Sequence, residues 1–517
     1  MTTSASPVPA VPETAEPRSG LRTNAVGVLG ILFFVLSAQA PLTAIAGALP
    51  LTVFLGNGAG APGAYVAIGV VITLFAVGFI AMSRRIRVNG AFYAYVGAAF
   101  GRRTGSGAAW LAILAYGTVQ AAMYGLYGVS VSALFAGLGL TIPWWLPVII
   151  TVAIVQALGS LNIELGARVL AILVGCEVAI LLAFAFGVML TGGGPEGLDP
   201  AASFSPSAVL SGAPGVALMF AFASMFGFES TAIYSGEAKD PKRTVARATY
   251  LSVAVISVFL SFVAWMFVAY YGASHVTDAA GKAVKSGDST GFVFSAMDGI
   301  LGPWSGVVAS ILLVTSLFAG ILAFHNGINR YLHSLAIDGS LPLRISRTNR
   351  HQAPFAAAWV QTIMSLVLVL PFAVLGLDPV LTLFSWLSGV SVAALVVLYV
   401  LCSAGVVYFF ARNRAGGRLW QTLIAPTLAA VLLLGVLYLV VANFTALIGG
   451  ETTTAIILLL TVPVCFAIGV AVTRKRRDVP VAPEPIVASA TATPATATPA
   501  SALPASTLPA SKEEGVA

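Results

Sequence analysis

The chain has 517 residues, of which 58% are hydrophobic and only 9% charged, with a mean hydropathy of +0.95. A water-soluble domain carries about a quarter charged residues, so the composition excludes one and reads as an all-α polytopic membrane protein. The net charge of +7 sits in short basic clusters between apolar runs, which is a topology signal rather than a nucleic-acid surface.

Residues 1–22 are rich in Pro, Ala, Ser and Thr and lack the apolar stretch of a cleavable signal; they read as a disordered N-terminal tail. Residues 23–83 hold no charge, and the Gly-rich segment 56–62 divides them into two spans. The first, 24–55, exceeds the roughly 20 residues that cross a bilayer. Pro41, inside Ser37-Ala38-Gln39-Ala40-Pro41-Leu42-Thr43, removes a backbone donor and forces a kink or break there. The second span is 63–82. Between Arg84-Arg85-Ile86-Arg87 and Arg102-Arg103, the piece Asn89-Gly90-Ala91-Phe92-Tyr93-Ala94-Tyr95 is too short to span and reads as re-entrant or interfacial.

Residues 104–163 are again uncharged, and 137–143 split them into the third and fourth spans. The fifth, 164–191, carries Glu177 in mid-span. The loop 192–213 has no Lys or Arg and is expected outside. The sixth span opens at Pro214 and is interrupted at Phe226-Gly227-Phe228-Glu229-Ser230 before Glu237-Ala238-Lys239-Asp240-Pro241. A carboxylate in an apolar span is expensive and is a functional-site hypothesis by default. Backbone freed by a broken helix persists only where it is buried in protein or lines a cavity.

The seventh and eighth spans, 248–272 and 304–337, flank an external loop with Lys282 and Lys285. Spans at 353–377, 379–410, 419–448 and 452–472 bring the total to about twelve. The tail 474–517 repeats Ala, Thr and Pro and is expected to be disordered. Apart from Lys282 and Lys285, the basic clusters fall on one side, which predicts both termini cytoplasmic and a multi-pass protein of the cell membrane. Cys176, Cys402 and Cys465 lie in apolar runs without metal-ligand spacing and read as buried free thiols.

The first and sixth spans run in opposite directions and both break near the middle. Interrupted segments at corresponding positions of two inverted halves are the best sequence pointer to a transporter binding site. The Phe-Gly-Phe-Glu break at 226–229, the loop Glu237-Ala238-Lys239-Asp240-Pro241 with Arg243, the segment 89–95 with Phe100-Gly101, and Arg330 with 336–342 together resemble the amino acid–polyamine–organocation (APC) superfamily over residues 24–474. The resemblance implies a LeuT-type fold: a 5+5 inverted repeat, residues 23–191 and 214–411, plus two extra helices in 419–473. Many members of that superfamily carry a Gly-rich trio at the first break, where this chain reads Ala40-Pro41-Leu42-Thr43.

Half-helices that stop in mid-membrane leave backbone groups unpaired. N–H groups after Pro41, at Thr43, Ala44 and Ile45, suit a carboxylate, and carbonyls around Ser37, Ala38 and Phe226 suit an ammonium. A zwitterionic amino acid satisfies both ends. The expected substrate site is Ala40, Pro41, Leu42, Thr43 and Ala44 with Phe226, Gly227, Phe228, Glu229 and Ser230. Tyr124 and Trp386 are aromatic candidates beside it, with ordinary helix packing the better reading of both. Arg22 and Asp338 are candidates for an inner gate. No phosphate-binding Gly-rich loop is found, so a gradient or exchange supplies the energy.

The proton is the expected coupling ion. Sodium-coupled relatives of this fold place Ser or Thr about four turns before the acid that ends the eighth helix, where this chain reads Ile321-Leu322-Ala323-Phe324, and its nearest hydroxyls, Thr315 and Ser316, lie further out. Glu177, with Glu229 as its rival, is the candidate carrier, since burial disfavours the charged form of a carboxyl. The sequence reads as a secondary transporter and not an enzyme, without cofactor or metal. Its expected partners are a small-molecule amino acid or related amine, a proton and the lipid bilayer; a polyamine permease, an exchanger and a non-transporting sensor are the alternatives.

Overall fold

The computed structural model describes residues 28, 32, 35–36, 39–86, 91–161, 167–228, 241–337, 339–351, 353–413 and 418–473. Both tails, Arg22, the break residues Glu229 and Ser230, and Asp338 lie outside the described residues. Among those described there are helices and no strand. That follows from the solvent: a backbone with no water to bond must satisfy itself within the segment.

Among the described residues, fourteen helices of ten residues or more follow the first break. They are α1 (Ala61–Ser83), α2 (Ala91–Phe100), α3 (Arg102–Gly137), α4 (Trp145–Ser160), α5 (Ala167–Leu190), α6 (Pro214–Ala223), α7 (Pro241–Tyr271), α8 (Val276–Lys285), α9 (Gly291–Leu301), α10 (Trp304–Ile337), α11 (Phe355–Val374), α12 (Ser385–Asn413), α13 (Ala425–Ala442) and α14 (Thr452–Thr473). Among the described residues, nine continuous helical runs are long and apolar enough to cross a membrane, one of them, Pro41–Ser83, merging the end of the first span with α1. The chain is thus a polytopic membrane protein. The re-entrant piece of the sequence reading is the ten-residue α2, doubled back on α3 through Gly101 at φ 92. A Cβ on Gly105 of α3 would stand 2.8 Å from the Gly97 Cα of α2, so the two backbones touch where only glycine fits.

The 36 residues of α3 rise about 54 Å, well over the roughly 30 Å hydrocarbon core, and the helix packs against α10, α12 and α14. Buried amides tie it to its neighbours. Gln120 Nε2 donates to the Ile321 carbonyl of α10 at 3.0 Å, and Gln361 of α11 donates to Gln120. Thr362 of α11 donates to Gln156 of α4 at 2.6 Å, and Asn349 Nδ2 to the Ser160 carbonyl at 2.6 Å. These bonds join α3, α4, α10 and α11 into one polar-braced block.

Two expectations are corrected. The loop expected outside, after α7, is helical: Val276, Ala280 and Val284 recur every fourth residue and bury one face of α8. Asp278 in its first turn and Lys282 and Lys285 in its last match the helix dipole, and Lys285 lies 5.3 Å above the Phe54 ring. The cysteines differ among themselves: Cys402 is buried, Cys465 half-buried with its thiol on the Trp110 carbonyl, and Cys176 exposed. Cys176 is turned outward because the next residue, Glu177, is turned in, and successive helical side chains point about 100° apart.

Candidate functional site

The first span is helical at Val28, Leu32, Val35, Leu36 and Gln39 and stops at Ala40. Ala40 has φ 51 and ψ 79, the one left-handed non-glycine residue among those described. Helix resumes at Pro41, whose fixed φ and missing N–H suit a first helical position, and runs on with π-type turns at Ala44–Ala48 and Thr52–Asn57 to a kink at Gly56, which has non-helical φ −104 and ψ −115. Alanine here does the backbone work that glycine does elsewhere, at a cost of about 1–2 kcal/mol.

That strain gives a first prediction. Ala40→Gly should keep uptake and raise stability by about 0.5–1 kcal/mol, while Ala40→Val, β-branched in the same conformation, should lower both uptake and melting temperature. Thermal melts of purified protein alongside vesicle uptake decide it. A valine variant as stable and active as the parent would show that the left-handed turn is dispensable.

The second break closes α6. Ser224 ends the helix, tighter turns carry the chain through Met225 and Phe226, and Gly227 takes φ 103. The two breaks meet: Gln39 Nε2 donates to the Ser224 carbonyl at 2.9 Å, across 185 positions of sequence. Glu177 of α5 reaches the same place from the side. Its Oε2 accepts the Leu42 backbone N–H at 3.0 Å. Leu42 is in the first turn after the break, where an N–H has no helical acceptor, so the carboxyl caps the positive end of the half-helix. Glu177 is fully buried, with Ser316 of α10 standing beside it. Its Oε1 has no hydrogen-bond partner among the described residues.

The sequence-predicted residues thus divide. Ala40, Pro41, Leu42 and Thr43 form the break itself, with the Thr43 hydroxyl buried and without a partner among the described residues. The Ala44 N–H is already bonded to the Ala40 carbonyl at 3.1 Å, so the N–H seen to bond outside its own helix is that of Leu42. Phe226 packs edge-on against Phe222 with centroids 6.1 Å apart. Phe228 points into an aromatic cluster, 6.1 Å from Phe75 and 5.9 Å from Tyr399, which themselves stack at 4.3 Å. Tyr124 is buried in α3, and Trp386 packs edge-on against Phe372. Sequence reasoning placed Glu177 in mid-span but missed its bond to Leu42 and missed Gln39. Gln39 carried a signal, an amide in an uncharged span one residue before the turn into Pro41.

Two broken helices meet end to end, and a buried carboxyl of the neighbouring α5 caps one of them. A family profile describing amino acid permeases matches residues 26–468. The chain belongs to the amino acid permease family. The permease is 26% identical over 337 residues to a branched-chain amino acid permease of Lactococcus lactis, covering 62% of this chain and 70% of that one. It is 26% identical over 338 residues to an uncharacterized transporter of Mycobacterium bovis, covering 60% and 66%. A Legionella pneumophila transporter is 25% identical over 183 residues, 35% of this chain and 38% of its own. The family makes the permease a transporter, implies an amino acid as its small-molecule substrate, and places it in the superfamily that its motifs resemble.

Proposed function

We propose that the permease carries a neutral, apolar α-amino acid together with a proton, by alternating access to the site between residues 39–44 and 224–228. One observation carries the reading: the Glu177 carboxyl held on the Leu42 N–H. The positive end of a half-helix attracts an anion. A substrate carboxylate and an ionised Glu177 compete for it, and two carboxylates at one buried site repel. Substrate therefore binds when Glu177 is protonated, and the proton departs with it. The apolar Phe226 at the second break and the branched-chain substrate named for the Lactococcus relative support leucine, isoleucine and valine as the first substrates to try.

Purified permease in sodium-free vesicles with an acid exterior should accumulate label from an amino acid mixture, and lose that accumulation when the pH gradient is collapsed. Uptake that ignores the gradient and requires sodium would overturn the proton reading.

In the cell membrane, the basic clusters put both termini on the cytoplasmic side. A Cys placed at Ser506 should resist an impermeant thiol reagent in intact cells and react once they are permeabilised. Labelling in intact cells would reverse the orientation.

A further inference from the structure

Coupling through Glu177 leaves the other end of the zwitterion without an assigned side chain. Gln39 is 7% exposed, and its amide nitrogen is spent on the Ser224 carbonyl. A carbonyl accepts and cannot donate, so the amide must present nitrogen there, and its oxygen is fixed as the free end. Gln39 Oε1 is buried with no hydrogen-bond partner among the described residues. Glu177 Oε1 and Thr43 Oγ1 are in the same condition, on groups that meet at the same turn of backbone. Unmet buried oxygens are costly and rare; Thr43 and a protonated Glu177 can donate, but the Gln39 amide oxygen only accepts, so it calls for a ligand that carries N–H. The local field has the matching sign. The first half of the broken span ends at Gln39 and α6 ends at Ser224, so two helix C-termini, each a partial negative charge, converge on the bridge.

We propose that Gln39 binds the α-ammonium group of the substrate through Oε1, oriented for it by the Ser224 carbonyl. The assignment rests on the amino acid reading of the site and goes beyond it by naming the side chain that separates an amino acid from a plain carboxylic acid. Glu177 and the Leu42 N–H serve the carboxylate and the proton; Gln39 serves the amine.

The test uses full-length permease in nanodiscs and pairs of ligands that differ only by the amine: leucine with 4-methylpentanoate first, then the other common amino acids with their des-amino counterparts. Wild type should bind its amino acid at least about tenfold more tightly than the des-amino acid. Gln39→Met, close to the same length but without the amide, should cut the advantage of the amino acid over the des-amino acid by about tenfold, whatever loss of the bridge costs both ligands alike. The ratio of the two affinities does not depend on how much of the sample is folded. If the methionine variant does not fold, Gln39→Asn, which keeps the amide but withdraws it by one methylene, carries the same expectation. A variant that weakens both ligands equally, or keeps the wild-type ratio, overturns the role of Gln39 while leaving the permease reading intact. A wild type that binds no amino acid overturns both.

Discussion

Replacing Glu177 with Gln is expected to abolish pH-driven accumulation while leaving amino acid exchange in place. Glutamine is nearly isosteric, and its side-chain oxygen can still accept the Leu42 N–H that now bonds Oε2 at 3.0 Å, so the half-helix stays capped and the break keeps its shape. What disappears is the charge that competes with the substrate carboxylate and the proton that removes it. A one-unit pH gradient is worth about 1.4 kcal/mol per proton, or about tenfold accumulation at balance. Wild-type vesicles should approach that ratio, and Glu177→Gln should settle near equal concentrations on both sides. Counterflow of labelled against unlabelled amino acid should persist in the variant, which separates loss of coupling from loss of folding. If the variant follows the gradient as well as wild type does, the coupling role passes to Glu229, the acid of the sixth span.

The transmembrane architecture was legible because hydrocarbon imposes one rule on every residue: runs without charge became helices, and Pro41 and Gly227 marked both breaks. The residue that takes the left-handed turn was less legible. Pro41 announces a break but not that Ala40 bears the strain, since alanine is ordinarily a good helix former. Glu177 was conspicuous as an acid in an apolar run, yet its partner lies 135 positions away, and no local pattern encodes a pairing made by the packing of α5 against the break. Gln39 was hidden for the same reason, being bonded 185 positions away. Phe228 shows the converse. It sits at the break in sequence, but its ring joins Phe75 and Tyr399, because the turn at Gly227 redirects the chain before it. Helix α8 was readable from its four-residue apolar spacing; its charges drew the eye to topology instead.

Gly227→Leu is expected to abolish transport while leaving insertion and topology unchanged. Gly227 has φ 103, a region that glycine enters freely and other residues reach at a cost of about 1–3 kcal/mol. Leucine favours the right-handed helix there and would draw the chain toward continuing α6 beyond Ser224. That continuation would supply a helical donor to the carbonyl that Gln39 now bonds, dissolving the bridge between the breaks and the open backbone that the substrate needs. The cost of insertion would not rise, because leucine is among the most favourable residues at the centre of a transmembrane helix. Gly227→Ala should fall between the two, with the same backbone penalty but a weaker bulk effect. Uptake in vesicles, normalised to the amount of correctly oriented protein, measures the loss, and it should exceed tenfold for leucine, the equivalent of about 1.4 kcal/mol. Wild-type uptake by Gly227→Leu would mean that the sixth span does not need its break, and would move the substrate away from the junction of Gln39, Leu42 and Ser224.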